Sequence, residues 1–426
     1  MTSEVAILNK SGIAVAADSA VTIGGARVWM STNKIFSLGP SHDLAIMIYG
    51  SGDFMGFPWE LIIRSFREYI SQQPINKLEQ CISLFLDYLS GDKWHDQDYE
   101  NLSNAHIIVS RIEYVLEGLE WEDESEFRSV VKAEAERLID QVRENEVVMP
   151  TLTLGQFRTQ FLKLIEKFCE EMLDFKAEKS TIDLVTKYIY EFYKRKDCSS
   201  GYETGVVFLG FGADELFPSV KELIVDGKLN KKIRHWRWRS QDLNIQKNQD
   251  SGIMSFAQMD MTTLFMDGIS RQYVEFFFKF IDGILEQKAD EYLKIFGSSD
   301  DEKIVEKVLQ KRKNEKIMEE LIRAYKGLQQ VEIVNPVTTS LRALPRDEMT
   351  AMAEAFVELT SMRRKVDSNL QTVGGPVDVA FISKSDGLIW VKRKLYFEEN
   401  GNGDFFERRR RKLGKQLESK VGKNAN

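Results

Sequence analysis

The chain has 426 residues, of which 43% are hydrophobic and 29% are charged. Single domains usually contain about 100–200 residues, so the length predicts several domains or one domain with large insertions. The formal net charge of −8 disfavours a protein that mainly binds nucleic acid.

No apolar run reaches the ~20 residues needed to span a bilayer, and the N-terminus lacks the basic start and apolar stretch of a secretory signal. Three cysteines and four histidines are scattered without the spacing of a disulfide framework or a metal site. We therefore expect a cytoplasmic protein that has no membrane partner and needs no metal or cofactor.

The first 50 residues have the pattern of β structure. Apolar runs at 5–8 and 13–17 flank a turn sequence at 9–12, which predicts a hairpin at the start of the chain. The nearly unbroken apolar run 44–49 predicts a buried central strand that ends at Gly50.

Helical patterns follow. Apolar residues recur at helical spacing in 59–70 and again in 78–89. The stretch 94–199 is rich in Glu, Lys, Leu and Phe and poor in Gly, and we interpret it as a helical insertion. A second charged helical insertion is predicted at 288–344, and the segment 398–426 is interpreted as a basic C-terminal tail.

The later chain alternates again between the two patterns. Strand signals return at 204–211 and 232–239, and 259–285 has one long apolar helical pattern. A helix is predicted from Pro345 to about residue 366, before a closing hairpin within 377–391. Strands and helices in this order predict an α+β fold in which helices cover sheets.

The residue after the initiator methionine is Thr2, which is small enough for methionine aminopeptidase to expose it. An N-terminal threonine combines a hydroxyl nucleophile and an α-amine base in one residue. The reference pKa of an α-amine is about 7.7–8.0, close to working pH. We expect Thr2 to begin an edge-accessible strand.

Three further residues complete a possible catalytic set. A cation at Lys34 would favour the neutral, basic form of the amine, and Asp18, at the end of the second strand, would hold that cation. The N–H of Gly50, at the end of the buried strand, could stabilise an oxyanion, a contribution of roughly 3–4 kcal/mol where it has been measured.

These residues resemble the proteasome β-subunit family of N-terminal nucleophile hydrolases. The resemblance rests on Thr2, on the segment Ala16-Ala17-Asp18-Ser19 and on Lys34, whose spacing is that of the family's nucleophile, aspartate and lysine. It implies a catalytic set of Thr2, Asp18, Lys34 and Gly50. It also implies a four-layer αββα sandwich, here with helical insertions.

Weaker similarities continue at 210–227, 373–379 and 385–387. The resemblance therefore implies that the sandwich is built from three parts, which are 2–93, 200–287 and 345–397.

The supporting residues depart from the family's pattern. Ala20 stands where the family often has arginine, and Leu370 and Val373 stand where it has an aspartate and a serine. The nearest candidates for its second auxiliary serine are Ser251 and Ser255.

The resemblance implies a threonine-type peptidase that hydrolyses peptide or protein substrates through an acyl-enzyme on Thr2. It also implies a homo-oligomer, and it leaves open whether an ATP-dependent unfoldase is a partner. Two alternatives remain: an amidase of this class that acts on a small molecule, and a catalytically inactive proteasome-like scaffold that binds a partner.

Two aromatic patterns have simpler interpretations than a ligand site. The alternating basic and aromatic run 234–239 is typical of a sheet strand with an apolar inner face, and we favour that over stacking on nucleic acid. The phenylalanine-rich run 276–280 is better explained as core or subunit interface than as a cofactor box.

Overall fold

The structure is a computed structural model. It describes residues 2–23, 27–173, 175, 177–196, 200–237, 242–245, 250–258, 260–296, 300–366, 374–395, 402–404, 407 and 411, with backbone alone at 21–23, 27–29, 289, 292–296 and 300–307. Leu370, Val373 and most of the basic tail lie outside these residues.

Antiparallel strands and helices alternate along the chain, as the predicted α+β class requires. The strands are β1 (Ser3–Asn9), β2 (Gly12–Ala17), β3 (Val21–Ile23), β4 (Arg27–Trp29), β5 (Ile35–Ser37), β6 (Asp43–Gly50), β7 (Asp53–Phe54), β8 (Phe57–Pro58), β9 (Thr204–Phe211), β10 (Ser219–Leu229), β11 (Lys232–Trp236), β12 (Leu243–Asn244), β13 (Ser251–Ala257), β14 (Asp378–Ser383) and β15 (Gly387–Lys392).

The helices are α1 (Trp59–Tyr69), α2 (Leu78–Ser90), α3 (Gln97–Leu116), α4 (Glu124–Arg143), α5 (Leu154–Met172), α6 (Lys179–Lys194), α7 (Asp260–Asp267), α8 (Arg271–Phe296), α9 (Asp300–Gln329), α10 (Asn335–Arg342) and α11 (Arg346–Val366). A π-helical turn, Gln330–Val334, joins α9 to α10. Among the described residues, no helix is both long and apolar enough to cross a membrane.

The chain divides into two compact units. The first contains Met1–Thr32, Asn244–Ser383 and Ile389–Glu398, and the second contains Asn33–Leu243, Lys384–Leu388 and Glu399–Asn426.

The first unit is built on a sheet with the strand order β13-β1-β2-β14-β15. The predicted N-terminal hairpin is confirmed, because β1 and β2 pair from Glu4–Ala17 to Asn9–Gly12. Helix α11 packs on these strands, where Ala14 and Ala16 leave room for Met349 and Phe356. The expectation of an edge strand at Thr2 is wrong, since β13 pairs with β1 along its whole length.

The second unit is built on a sheet with the order β11-β10-β9-β6-β5. The predicted central strand is confirmed as β6, which pairs with β9 from Asp43–Phe211 to Gly50–Thr204. Helices α1 and α2 cover one face of this sheet with the apolar residues that their helical spacing predicted, among them Trp59, Phe66 and Phe85. These aromatic rings pack in a chain, with Phe66 and Phe85 5.0 Å apart.

Helices α3 to α6 enclose a separate core within the second unit. Their attachment to the sheet includes Arg234 of β11, whose side chain is buried. Its guanidinium pairs with Asp226 of β10 and donates to the carbonyl oxygens of Phe192 and Arg195, at 3.0 and 2.6 Å. The end of α6 is thereby tied to the neighbouring strands.

The long helical pattern at 259–285 was predicted as one helix, and the structure divides it between α7 and α8. The break occurs at Gly268, whose φ of +73° is a left-handed conformation that ends helices and favours glycine. The side chain of Ile333 fills the space beside it, 2.2 Å from where a β-carbon would lie.

Candidate active site

The start of β1 lies at one end of the sheet in the first unit. Because β1 is antiparallel to both of its neighbours, the last residues of β2 and of β13 lie at this same end of the sheet. Ser3 is opposite Ala257, and Glu4 is opposite Ala17. The sequence-predicted residues Thr2 and Asp18 are therefore brought to one end of one sheet.

Asp18 is held there by the backbone. Its Oδ1 accepts a hydrogen bond from the N–H of Ser3 at 3.0 Å. Its Oδ2 accepts from the N–H groups of Gly374 and Ala20, at 2.9 and 3.3 Å. The N–H of Asp18 donates in turn to the carbonyl of Ser3 at 3.1 Å. The carboxylate is buried and fixed beside the residue that follows Thr2.

Thr2 itself is 6% exposed. Its carbonyl oxygen accepts a hydrogen bond from the N–H of Gln258 at 3.1 Å, which extends the pairing of β13 with β1 by one residue. The side-chain oxygen of Gln258 accepts from the guanidinium of Arg364, which also pairs with Asp260 at 2.6 Å. This polar group was not predicted, because no local motif connects residues so far apart in the chain.

The segment that contains the glycine pair 374–375 is hydrogen-bonded at the same end of the sheet. The N–H of Ser19 donates to the carbonyl of Gly374 at 3.1 Å, and the Ser19 hydroxyl donates to the carbonyl of Pro376. The segment thus supports the turn that presents Asp18.

The candidate auxiliary serines lie elsewhere. Ser251 begins β13 and is opposite Asn9, at the far end from Thr2, and its hydroxyl donates to the carbonyl of Thr338 at 2.7 Å. Ser255 is opposite Val5, within the strand. Neither serine lies at the end of the sheet where Thr2 is located.

Lys34 and Gly50 belong to the second unit. Lys34 directly precedes β5, its side chain is buried, and its carbonyl accepts from the N–H of Ile48 at 3.1 Å. That bond continues the pairing of β5 with β6. Lys34 is therefore part of a regular sheet border and not a solvated surface lysine.

Gly50 ends β6 in a left-handed conformation, with φ of +90°. The following residue donates from its N–H to the carbonyl of Glu203 at 3.1 Å, and the Thr204 hydroxyl donates to the carbonyl of Ser51 at 3.2 Å. The segment is held further along by the hydroxyl of Tyr99, which donates to Asp53 at 3.3 Å. Burial, with the nearby Asp53 charge, raises the pKa of Tyr99 to about 12, so this donor stays protonated.

We expect Gly50→Ala to lower the free energy of unfolding by at least ~1–3 kcal/mol, because alanine is strained at this φ. A β-carbon would also lie only 2.4 Å from the carbonyl oxygen of Glu203. The matched control is Gly52→Ala, where no atom lies within 4 Å of the added carbon, and a change within ~0.5 kcal/mol is expected. Urea unfolding measures both; equal effects would contradict the assigned geometry of Gly50.

Metal ligation is not visible at this edge or elsewhere in the described part of the chain, where no three His, Cys, Asp or Glu side chains come together. His95 and Asp96, a histidine beside an aspartate, have local contacts. His95 lies 3.4 Å from Glu100, and Asp96 caps the start of α3 by accepting from the N–H of Tyr99 at 3.0 Å.

No protein-family model and no curated protein matches the chain. Among solved structures, it is similar to a Gly-1 mutant of Anbu from Hyphomicrobium sp. strain MC1, with 9% identity, a TM-score of 0.29 and 97% of each chain covered. It is also similar to Anbu, described as an ancestral beta-subunit, from Yersinia bercovieri, with 10% identity, a TM-score of 0.29, and 99% of this chain and 96% of that chain covered. At a TM-score of 0.29, neither likeness establishes a shared activity.

Proposed function

We propose that the chain is an N-terminal nucleophile hydrolase that cleaves peptide bonds through Thr2 after removal of Met1. The observation that carries the proposal is the position of Asp18, which is fixed beside the start of β1 by the N–H of Ser3 at 3.0 Å. The proposed scaffold is the four-layer αββα sandwich built from 2–93, 200–287 and 345–397, with helical insertions at 94–199 and 288–344.

In the proposed reaction, the Thr2 hydroxyl attacks the substrate carbonyl while its proton passes to the free α-amine of the same residue. The carbon–nitrogen bond of the substrate breaks, the amine product takes the proton, and an ester to Thr2 remains. Water then attacks the ester while the α-amine again accepts a proton, which passes to the departing Thr2 oxygen as the acid product is released.

Lys34 supplies the positive charge that keeps the α-amine neutral, Asp18 holds that charge, and the Gly50 N–H stabilises the oxyanion. These roles rest on the spacing of the residues along the chain. Two features support them: Lys34 is buried at a sheet border, and Gly50 has a fixed left-handed backbone. A buried lysine is costly unless its charge is compensated, which favours a specific role over a solvated one.

A non-catalytic scaffold is the second candidate, and one observation favours it. The backbone bonds that Asp18 accepts from Ser3, Gly374 and Ala20 give this carboxylate a structural purpose that requires no reaction. The two candidates differ in whether Thr2 reacts.

A peptide epoxyketone, which reacts with a hydroxyl and an amine on one residue, separates the candidates. We expect stoichiometric labelling, with the added mass on an N-terminal peptide that begins at Thr2. A mature N-terminus without labelling would support the scaffold. Labelling without cleavage of any member of a fluorogenic peptide panel would instead favour an amidase that acts on a small molecule.

A further inference from the structure

Helix α8 is apolar on two faces. One face, formed by Val274, Phe278, Ile281 and Leu285, is half-buried. This face meets α9, where the rings of Phe278 and Tyr325 lie 5.8 Å apart at 85°. The side chain of Asn314 adds a hydrogen bond to the carbonyl of Leu285 at 3.1 Å.

The other face is an aromatic stripe that stays exposed. It consists of Tyr273, Phe276, Phe277, Phe280 and Ile284, which are 66%, 63%, 58%, 58% and 43% exposed. The residues recur at the spacing of one helical face, and the rings of Phe276 and Phe280 stack 6.0 Å apart. A helix of a globular protein needs one apolar stripe to pack on its core, so this second stripe is in excess of what α9 covers.

We propose that the aromatic stripe is the interface of a two-fold homodimer, in which α8 of a second copy of this chain crosses it antiparallel. The stripe is self-complementary in that arrangement. Tyr273 of one copy faces Ile284 of the other, and Phe277 faces Phe280. A two-fold axis between the middle residues forms each contact twice, which is the arrangement that closed homodimers use.

The exposed area of the stripe lies at the lower limit of what such a dimer needs. An aromatic side chain buries about 150–250 Å², so the four rings at their observed exposure offer about 500 Å² per copy. Two copies would therefore bury about 1,000 Å² in total, which is the lower limit for a specific interface.

The charges on α8 favour protein over lipid as the occupant. The stripe contains no charged side chain, which is typical of the core of a protein interface. The opposite face of the helix is exposed and carries Glu275, Lys279, Asp282 and Glu286, an acidic excess. A helix that lies on an anionic membrane has lysine and arginine on its polar face instead.

Sedimentation velocity of the full chain over a range of concentrations tests the proposal. We expect a reversible dimer, and Phe276→Glu with Phe280→Glu should raise its dissociation constant by at least ~30-fold. The control is Leu216→Glu, which changes a residue 72% exposed in the second unit and should leave dimerisation unchanged. Circular dichroism checks that each variant is folded, and Phe276→Ser with Phe280→Ser repeats the test without added charge.

Cross-linking tests the antiparallel arrangement. Tyr273→Cys and Ile284→Cys are made in separate chains, both with Cys198→Ser; Cys81 and Cys169 are buried. A short bismaleimide should join the two chains only when they are mixed, since like positions lie about 16 Å or more apart along the helix. A monomer at all concentrations, a dimer that the stripe variants do not weaken, or binding to vesicles by a monomer would each overturn the proposal.

Discussion

Replacing Thr2 with alanine is expected to abolish peptide hydrolysis and epoxyketone labelling while the protein stays folded. Alanine keeps the α-amine and the carbonyl that accepts from the N–H of Gln258, and it removes the hydroxyl that would attack the substrate. Removal of a nucleophile from a catalytic set costs on the order of 10⁶-fold in turnover where it has been measured. Turnover of a fluorogenic peptide is the readout, with the unfolding midpoint as the control for folding.

Two further variants show whether the amine is also required. Thr2→Ser keeps both reacting groups and should retain part of the activity. A glycine inserted between Met1 and Thr2 turns the amine of Thr2 into an amide without basicity, so it should be as inactive as the alanine variant. Hydrolysis by either the alanine variant or the glycine insertion would refute Thr2 as an N-terminal nucleophile.

Replacing Arg234 with methionine is expected to lower the free energy of unfolding by ~3–5 kcal/mol, because it leaves the buried Asp226 carboxylate without its cation. The carbonyls of Phe192 and Arg195 lose their donor as well. Urea unfolding at neutral pH, with circular dichroism as the signal, measures the change.

The matched control is Arg237→Met. Arg237 follows the same strand and pairs with Glu79 and Asp242, but its side chain and that of Glu79 are partly exposed. Its loss should cost at most ~1 kcal/mol. Adding Asp226→Leu to the methionine variant should restore part of the stability, since the carboxylate that had lost its cation is then removed as well. Equal losses in the two single variants would contradict the role of Arg234 as a buried anchor.

The elements with regular apolar periodicity could be predicted from the sequence. The strands β1, β2 and β6 and the helices α1, α2 and α11 were found in this way. Strand β10 was not found from apolar periodicity, and only the family resemblance at 210–227 pointed to it. Charged residues interrupt its pattern, and these have partners that only the folded chain supplies. Glu222 accepts from the Tyr49 hydroxyl, and Lys228 donates to the Trp94 carbonyl at 2.9 Å.

Burial of those two groups has a measurable consequence. Burial raises the pKa of Glu222 and lowers the pKa of Lys228, so both shifts favour the neutral forms. Burying these polar groups in the strand costs free energy, and the hydrophobic pattern of the sequence does not reveal such burial.

Only the local part of the candidate site could be predicted, because its other contacts also depend on tertiary structure. Strand register in the hairpin was enough to bring Asp18 beside the start of β1, because that contact is local in the chain. Gln258 and Arg364 could not be found, since β13 pairs with β1 only through tertiary structure. The sequence also could not show that Ser255 lies within β13 whereas Ala257 lies at its end, because this depends on the strand register.

The bonds that Asp18 accepts from three backbone positions have a consequence for how this sequence diverges. A copy that lost its nucleophile would still need the aspartate to fold, so selection for a stable protein alone would preserve it. The hydroxyl at position 2 is the group that the proposed reaction itself requires. Descendants that have given up the chemistry should therefore still carry an aspartate at position 18.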